Sequence, residues 1–127
     1  MPIIESIQVA SVAVPLDKVT SFSTRTVSER HYCLVKVRGK DGNEGIGFCY
    51  VGSAGGDIAK VGVEQLLAPK LLGQNSHRSE GLWMDMYNES ILQGRTGAVM
   101  RGISILDTAL WDLNARSVGL PLHQYLG

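Results

Sequence analysis

Residues 98–113 of the chain read AVMRGISILDTALWDL, and this stretch decides the fold. Apolar side chains recur in it at spacings of four and three, which places them on one face of a helix. They are Val99, Ile103, Leu106, Leu110 and Leu113. Smaller residues form a second stripe, so we expect this helix to pack on two sides. They are Ala98, Gly102, Ile105 and Ala109. Gly119, with Pro121 after it, predicts where the helix stops.

Two shorter helices are expected before this one. Asp57 is a plausible N-cap for the first, and Pro69 is expected to break it. The apolar residues of that helix are Ile58, Val61, Leu66 and Leu67. Ser76 is expected to cap the second helix. Its apolar face consists of Leu82, Trp83, Met86 and Tyr87.

The first half of the chain is typical of strands and loops. Residues 3–14 are rich in Ile and Val, which favours a strand, and Pro15 is expected to end it because proline lacks a ladder donor. Residues 16–30 are polar, rich in Ser and Thr, and show neither strand nor helix periodicity. We therefore expect a long loop, and loops of this length are uncommon unless they have a function.

A hairpin is predicted around the turn sequence KDGN at residues 40–43. It joins a strand over residues 31–38 to one over residues 44–51. Matching the apolar faces of the two strands predicts three cross-strand pairs. They are Val37 with Ile46, Val35 with Phe48, and Cys33 with Tyr50. In that register Cys49 faces away from Cys33, so no disulfide is expected between them. Residues 52–56 form a second flexible loop.

Composition limits the function classes open to the chain. Its 127 residues fit one domain, and 44% apolar with 19% charged residues is ordinary for a globular protein. A formal net charge of zero gives no electrostatic reason to bind nucleic acid or an anionic membrane. The sequence has no bilayer-length apolar run and no signal-peptide pattern. We therefore expect a cytoplasmic protein with reduced cysteines.

Motifs that carry chemistry are scarce. The glycines of residues 52–56 lack the Gly-Lys-Ser/Thr ending of a phosphate-binding loop. The three histidines are far apart in sequence, which disfavours a zinc site. Asp107 and Asp112 lie about 140° apart around the helix axis, so they do not form a catalytic pair. The residues alone therefore predict a soluble α+β domain with two loops, residues 16–30 and 52–56, that suggest a function.

A family resemblance adds to this interpretation. The segment RGISILDTALWDL at residues 101–113 resembles the signature helix of the mandelate racemase and muconate lactonizing enzyme group of the enolase superfamily. Matching segments are KDGNEGIG at residues 40–47, LWMDMY at residues 82–87, GLPL at residues 119–122 and YLG at residues 125–127. The resemblance implies an N-terminal capping domain over residues 1–127, built as a three-stranded antiparallel meander followed by a helical bundle.

In the resembling family this domain covers the open end of a C-terminal barrel. That barrel holds Mg²⁺ on three carboxylates and uses Lys or His bases to remove a proton α to a substrate carboxylate. The chain has no Lys-x-Lys pair and is expected to stop before the barrel. The resemblance thus implies Mg²⁺ in the parent enzyme but none in this fragment. It also implies a small carboxylate substrate such as an acid sugar, and a homo-oligomer.

The family places a lid in this domain, made by two loops that correspond here to residues 17–29 and 50–56. Arg25 could pair with a carboxylate or sugar hydroxyls, and Phe22 could exclude water. Four further residues could hydrogen-bond a polyol. They are Ser21, Ser23, Tyr50 and Ser53. The alternative interpretation is that most of these residues are solvated loop positions. The first loop is expected to be mobile unless a barrel lies beneath it.

The parent reaction stays open between racemase, dehydratase and cycloisomerase. The tract GRTG at residues 94–97 is more similar to acid-sugar dehydratases and racemase-like members than to muconate cycloisomerases. An alternative from another class is a stand-alone α+β binding or interaction module without enzymatic activity.

Overall fold

A computed structural model describes residues 2–127. Three antiparallel strands come first, in the spatial order β1-β2-β3. They are β1 (Ile4–Phe22), β2 (Arg25–Gly39) and β3 (Glu44–Gly52). Five α-helices follow, namely α1 (Gly56–Gly62), α2 (Ala68–Leu71), α3 (Ser79–Glu89), α4 (Ala98–Ser117) and α5 (Leu122–Leu126). The predicted α+β meander followed by helices is confirmed.

The predicted loop over residues 16–30 is wrong, because β1 and β2 continue through it as a two-stranded ribbon. Pro15 does not end β1 but stands opposite Glu29, where the pairing shifts before it resumes at Thr20 and Val27. Residues 16–19 bulge out at this shift, and a bulge tolerates a residue without an N–H donor. Most ribbon side chains are exposed on both faces, so no alternation of apolar and polar residues was available to indicate a strand.

The predicted register of the second hairpin is wrong by one residue. Val37 pairs with Gly45 and Val35 with Gly47, so both valines lie opposite glycines. The large side chains of Ile46, Phe48 and Tyr50 turn to the outer face, where they are 57%, 66% and 45% exposed. Face matching assumed that the larger apolar residues of β3 would point inward, and they do not.

Helix α4 explains why glycine occupies the inner face of β3. A Cβ atom on Gly45 would overlap the carbonyl oxygen of Ala109, and one on Gly47 would overlap that of Ile105. The backbone of α4 therefore rests directly on the backbone of β3. No larger residue fits there without moving the helix.

The two cysteines share the inner face and pair directly across β2 and β3, so their predicted separation on opposite faces is also wrong. Both are free thiols. Burial raises the pKa of the Cys33 thiol to about 11, and burial also raises the pKa of Cys49. Few thiolates form at neutral pH under these conditions, so neither cysteine is an activated nucleophile.

The free edge of β3 is held at two points by α4. The Ile46 amide donates to the Asp112 carboxylate at 3.0 Å. Three turns earlier on the helix, the Arg101 guanidinium donates to the Tyr50 carbonyl. Asp112 also accepts from Arg116 at 3.0 Å, so the expected i, i+4 pair is present.

Both predicted stripes of α4 are buried except at their first residues, Ala98 and Val99, which are half-buried. The larger one supplies the centre of the core, and four of its residues have no exposed surface, namely Ile103, Leu106, Leu110 and Leu113. The smaller stripe lies against β3 and α1. The helix ends as predicted, because Gly119 takes a φ of 71° and the Leu120 amide bonds back to the Ala115 carbonyl at 3.0 Å.

The predicted start of the first helix is wrong. Helix α1 begins at Gly56 without a side-chain cap, and Asp57 lies within its first turn. Ile58 and Val61, expected in the core, are 65% and 46% exposed. Leu67, which was also expected on the apolar face, is fully buried, and Ala59 and Val63 complete the buried face.

Pro69 does not break the chain of helical turns as predicted. A π-helical segment, Val63–Leu67, precedes it, and Pro69 falls in the first turn of α2. Proline is tolerated there because the amide it lacks would have no partner within the new helix.

Ser76 is not a helix cap either. It is fully buried and donates to the Asn114 side chain of α4, while α3 begins at Ser79. The predicted face of α3 is confirmed, since Leu82 and Met86 are fully buried and the rings of Trp83 and Tyr87 stack at 5.2 Å. Among residues 2–127, no helix combines the length and apolarity that crossing a bilayer takes.

Replacing Gly47 by Ala is expected to destabilise the fold by about 3 kcal/mol or more, because the added methyl group must push α4 away from β3. Urea unfolding measures this change. Gly81→Ala is the matched control, since its methyl group meets only the flexible Arg78 side chain and should stabilise α3 by about 0.5–1 kcal/mol. Equal effects of the two substitutions would contradict the contact between backbones.

Leu110→Ala is expected to cost about 2–5 kcal/mol, because it removes a fully buried side chain from the centre of the core. Leu92→Ala, at a position that is 95% exposed, should change the free energy of unfolding by less than about 0.5 kcal/mol. A cost below about 1 kcal/mol at position 110 would mean that α4 packs differently.

Candidate functional site

The tip of the β1–β2 ribbon carries four of the six predicted site residues. Ser23 occupies the turn with a positive φ of 49°, and Phe22 pairs directly with Arg25 across the ribbon. The Ser21 hydroxyl lies 3.2 Å from that of Thr26. Phe22 is 57% exposed, and Ser21, Ser23 and Arg25 are exposed as well. The tip therefore presents an apolar ring, a guanidinium and two hydroxyls to the surroundings.

Two irregularities frame the root of the ribbon. Residues 16–19 bulge from β1, and β3 shifts its pairing where His31 pairs with Gly52. Between them His31 Nε2 lies 2.9 Å from Glu29 Oε1, within hydrogen-bond distance. This contact joins two side chains on the same face of β2, where the ribbon leaves the sheet. Bulges of this kind commonly re-aim a strand next to a functional site.

The other two predicted residues lie at the end of the main sheet. Tyr50 is on the outer face of β3, 45% exposed, and Ser53 is half-buried just after the strand. The Arg30 guanidinium lies over the Tyr50 ring at 5.9 Å from its centroid. The Tyr32 ring is 5.8 Å from that of Tyr50. Tyr50 is thus held between a cation and a second aromatic ring.

The two groups of predicted residues do not meet within this domain. Tyr50 pairs with Tyr32, and Tyr32 lies seven positions after Arg25 along β2, which is about 23 Å of extended strand. The ribbon tip and the end of β3 therefore form two separate surfaces. A ligand touching both would need a third surface between them.

Three residues around Tyr50 were not predicted. Arg30 and Tyr32 share its face of the sheet, and Arg101 reaches its carbonyl from α4. The alternation of Arg30, Tyr32 and Leu34 along β2 indicates that Arg30 and Tyr32 share a face of the sheet. It was missed because β2 was expected to begin at His31. Nothing in the sequence linked Arg101 to Tyr50, because 51 positions separate them.

Residues 2–127 bring no three His, Cys, Asp or Glu side chains together in a way that could hold a metal ion. Within the described residues, Asp107 is the one carboxyl with a raised pKa, caused by burial and partly offset by the Trp111 indole. It lies on α4, whereas the predicted site residues lie on the ribbon and β3.

The ribbon tip is expected to be dispensable for stability. Phe22→Ser and Arg25→Ala should each change the free energy of unfolding by less than about 0.5 kcal/mol, because both side chains are exposed. Val27→Ala, in the same ribbon at a 9% exposed position, should cost about 1–2 kcal/mol. Thermal and urea unfolding check this contrast. A large loss from the tip substitutions would mean that they contribute to the fold.

Comparison with known proteins identifies the family. Residues 4–127 match the model for the mandelate racemase / muconate lactonizing enzyme, N-terminal domain. An L-talarate/galactarate dehydratase of Salmonella typhimurium is 32% identical over 110 residues, covering 87% of this chain and 27% of that protein.

Two solved structures share the fold. A mandelate racemase/muconate lactonizing enzyme-like protein from Rubrobacter xylanophilus has a TM-score of 0.88 and 31% identity, over 98% of this chain and 33% of the other. The L-talarate dehydratase of Polaromonas sp. JS666, complexed with Mg and L-glucarate, has a TM-score of 0.91 and 27% identity, over 100% of this chain and 35% of the other.

The chain thus spans between a quarter and about a third of the length of these relatives. The family match covers all three strands and all five helices, and the structural likeness extends over the same range. This chain belongs to the mandelate racemase/muconate lactonizing enzyme family of the enolase superfamily, and it corresponds to the family's N-terminal domain.

Proposed function

We propose that this chain is the capping domain of an acid-sugar dehydratase or racemase-like enzyme. Residues 17–29 and 50–56 would form the lid and specificity surface over an active site in a C-terminal barrel. The observation that carries this proposal is the ribbon, whose tip displays Phe22 and Arg25 to solvent although neither supports the fold.

An isolated two-stranded ribbon contributes little to the stability of the domain. Ordering it costs about 1–2 kcal/mol per residue in backbone entropy, and two strands alone are marginal in water. Contacts made with another surface would offset that cost. A barrel beneath the ribbon supplies such a surface, which accounts for a ribbon that projects beyond the third strand.

The chemistry of the tip suits a polyhydroxylated carboxylate. Arg25 offers a planar set of donors that can bind a carboxylate through two hydrogen bonds. Phe22, its cross-strand neighbour, can exclude water from the site, and Ser21 and Ser23 can bond to hydroxyl groups. Relatives named for talarate, galactarate and mannonate are consistent with this substrate class.

Metal chemistry is assigned to the barrel in this proposal. Residues 2–127 hold no cluster of three potential ligands, so the proposal places the three metal-binding carboxylates in the barrel. One structural relative was solved with Mg and L-glucarate, which supports a divalent ion in the parent enzyme. Within the capping domain, the described residues bind and orient substrate and exclude water. We further propose that the parent enzyme is a cytoplasmic homo-oligomer.

Arg25→Ala in the whole enzyme tests the proposal. We expect KM for an acid-sugar substrate to rise about tenfold with kcat within about twofold, because the lost contact binds substrate and not the reacting atoms. Steady-state kinetics on aldarates and aldonates measures this. Arg38→Ala is the matched control, since Arg38 is a half-exposed arginine near the opposite end of β2.

The control arginine should leave KM unchanged, and both variants should unfold like the unmodified chain. Equal values of KM and kcat for the two variants would contradict the assignment of residues 17–29 to the lid. Failure of the whole protein to act on any acid sugar would instead favour a stand-alone binding module.

A further inference from the structure

Helices α3 and α4 leave a groove on the side of α4 that faces away from the sheet. Its volume is about 410 Å³, and it is lined by Ser79, Glu80, Trp83, Met84, Asp107 and Trp111. Asp107 and Trp111 stand one helical turn apart, so both reach the same groove. We call it the two-tryptophan groove. None of the predicted lid residues contributes to it.

Charge in this groove is of one sign. Asp107 is half-buried, and among residues 2–127 no Lys, Arg or His nitrogen approaches its carboxylate closely enough to form an ion pair. Burial raises the pKa of Asp107, while the Trp111 indole N–H, directed toward the carboxyl, acts in the opposite sense. Glu80 is the other titratable group of the lining. Arg78 precedes the lining residue Ser79 in sequence, but its guanidinium contacts other side chains. It donates to Gln74 Oε1 at 2.9 Å and lies 3.9 Å from Asp85 Oδ2.

A half-buried carboxylate without a cation is unfavourable for the isolated domain. The groove also carries two indole rings and a methionine that is 47% exposed. Indoles attract cations, and a guanidinium can stack on a ring while bonding to a carboxylate through two donors. The charge and the aromatic lining of the groove are therefore complementary to an arginine side chain.

The C-terminal helix of the chain lies beside this groove. The Tyr125 ring of α5 meets the Trp111 ring edge-on at 5.9 Å between centroids, and its hydroxyl is 3.3 Å from His77 Nδ1. A domain joined after α5 would therefore begin close to the groove.

We propose that the two-tryptophan groove is a docking site for an arginine side chain presented by the C-terminal barrel, with Asp107 as its counter-ion. This inference rests on the proposed function, because it names the barrel as the partner. It assigns Asp107 and Trp111 to holding the two domains together, at a surface separate from the lid.

The chemistry of the groove can be tested on the 127-residue chain with ethylguanidinium as the probe. Titration should shift the Trp111 indole N–H resonance saturably, whereas ethylurea, which is neutral and similar in shape, should not shift it. Asp107→Asn should weaken ethylguanidinium binding by about tenfold or more, because the charge-assisted hydrogen bonds are lost. Glu80→Gln, at the exposed rim, should have a smaller effect. Equal binding by the Asp107 variant, or equal shifts with ethylurea, would overturn the proposal.

The barrel as partner is tested by comparing Asp107→Asn in two contexts. In the 127-residue chain the substitution should raise the unfolding midpoint at pH 7 by about 1–3 °C, because it removes an unpaired charge. The raised pKa means that ionised Asp107 destabilises the fold at neutral pH. This gain should therefore vanish as the pH falls below the ordinary value of 3.8, where the carboxyl is protonated in both states.

In the whole protein the same substitution should lower the midpoint, because an ion pair between domains is lost. A residue with a purely structural role would shift both midpoints in the same direction, and that outcome would overturn the proposal. The lid assignment is measured separately, through KM at Arg25. Failure of one inference is therefore distinguishable from failure of the other.

Discussion

The direct contact between the backbones of α4 and β3 is the constraint on which the rest of the domain depends. Gly45 and Gly47 remove every side-chain atom between the helix and the strand, so α4 approaches until its carbonyl groups meet β3. That approach fixes the register of the second hairpin and turns Phe48 and Tyr50 to the outer face. It also brings Arg101 and Asp112 within reach of the strand's free edge. Sheet and helices are thereby locked as one body.

Functional surfaces lie outside this locked body. The ribbon extends from one end of the sheet, and its tip residues add nothing to the core. The two-tryptophan groove lies on the far side of α4, where the helix packs on α3 and not on the sheet. A division of this kind lets the core remain unchanged while a substrate-facing surface and a domain-facing surface vary independently. Both surfaces still depend on α4, because it supports the sheet and lines the groove.

Sequence patterns predicted the parts of the fold in which burial follows a regular period. The stripes of α4, the face of α3 and the stop at Gly119 were correct because one side of each helix meets the core. The ribbon was missed because most of its side chains are exposed on both faces, so its strands show no alternation of apolar and polar residues. The register was missed because the rule seeks large apolar residues, whereas the inner face of β3 requires glycine. The spacing of carboxylates relates Asp107 to Asp112, whereas its neighbour in the structure is Trp111, one turn away. The lid residues came from a family resemblance, and their separation on two surfaces followed from tertiary structure that no local pattern contains.

The two contacts from α4 to the edge of β3 have a consequence for how the protein behaves in a crowded solution. An uncovered edge strand exposes a row of unpaired amides and carbonyls that can pair with a strand of another molecule. The large apolar side chains of β3 would favour such intermolecular pairing. Because Asp112 already takes one amide and Arg101 one carbonyl, an incoming strand can pair with only a few residues between them. Helix α4, which forms the centre of the core, thus also disfavours the intermolecular strand pairing from which fibrils grow at this edge.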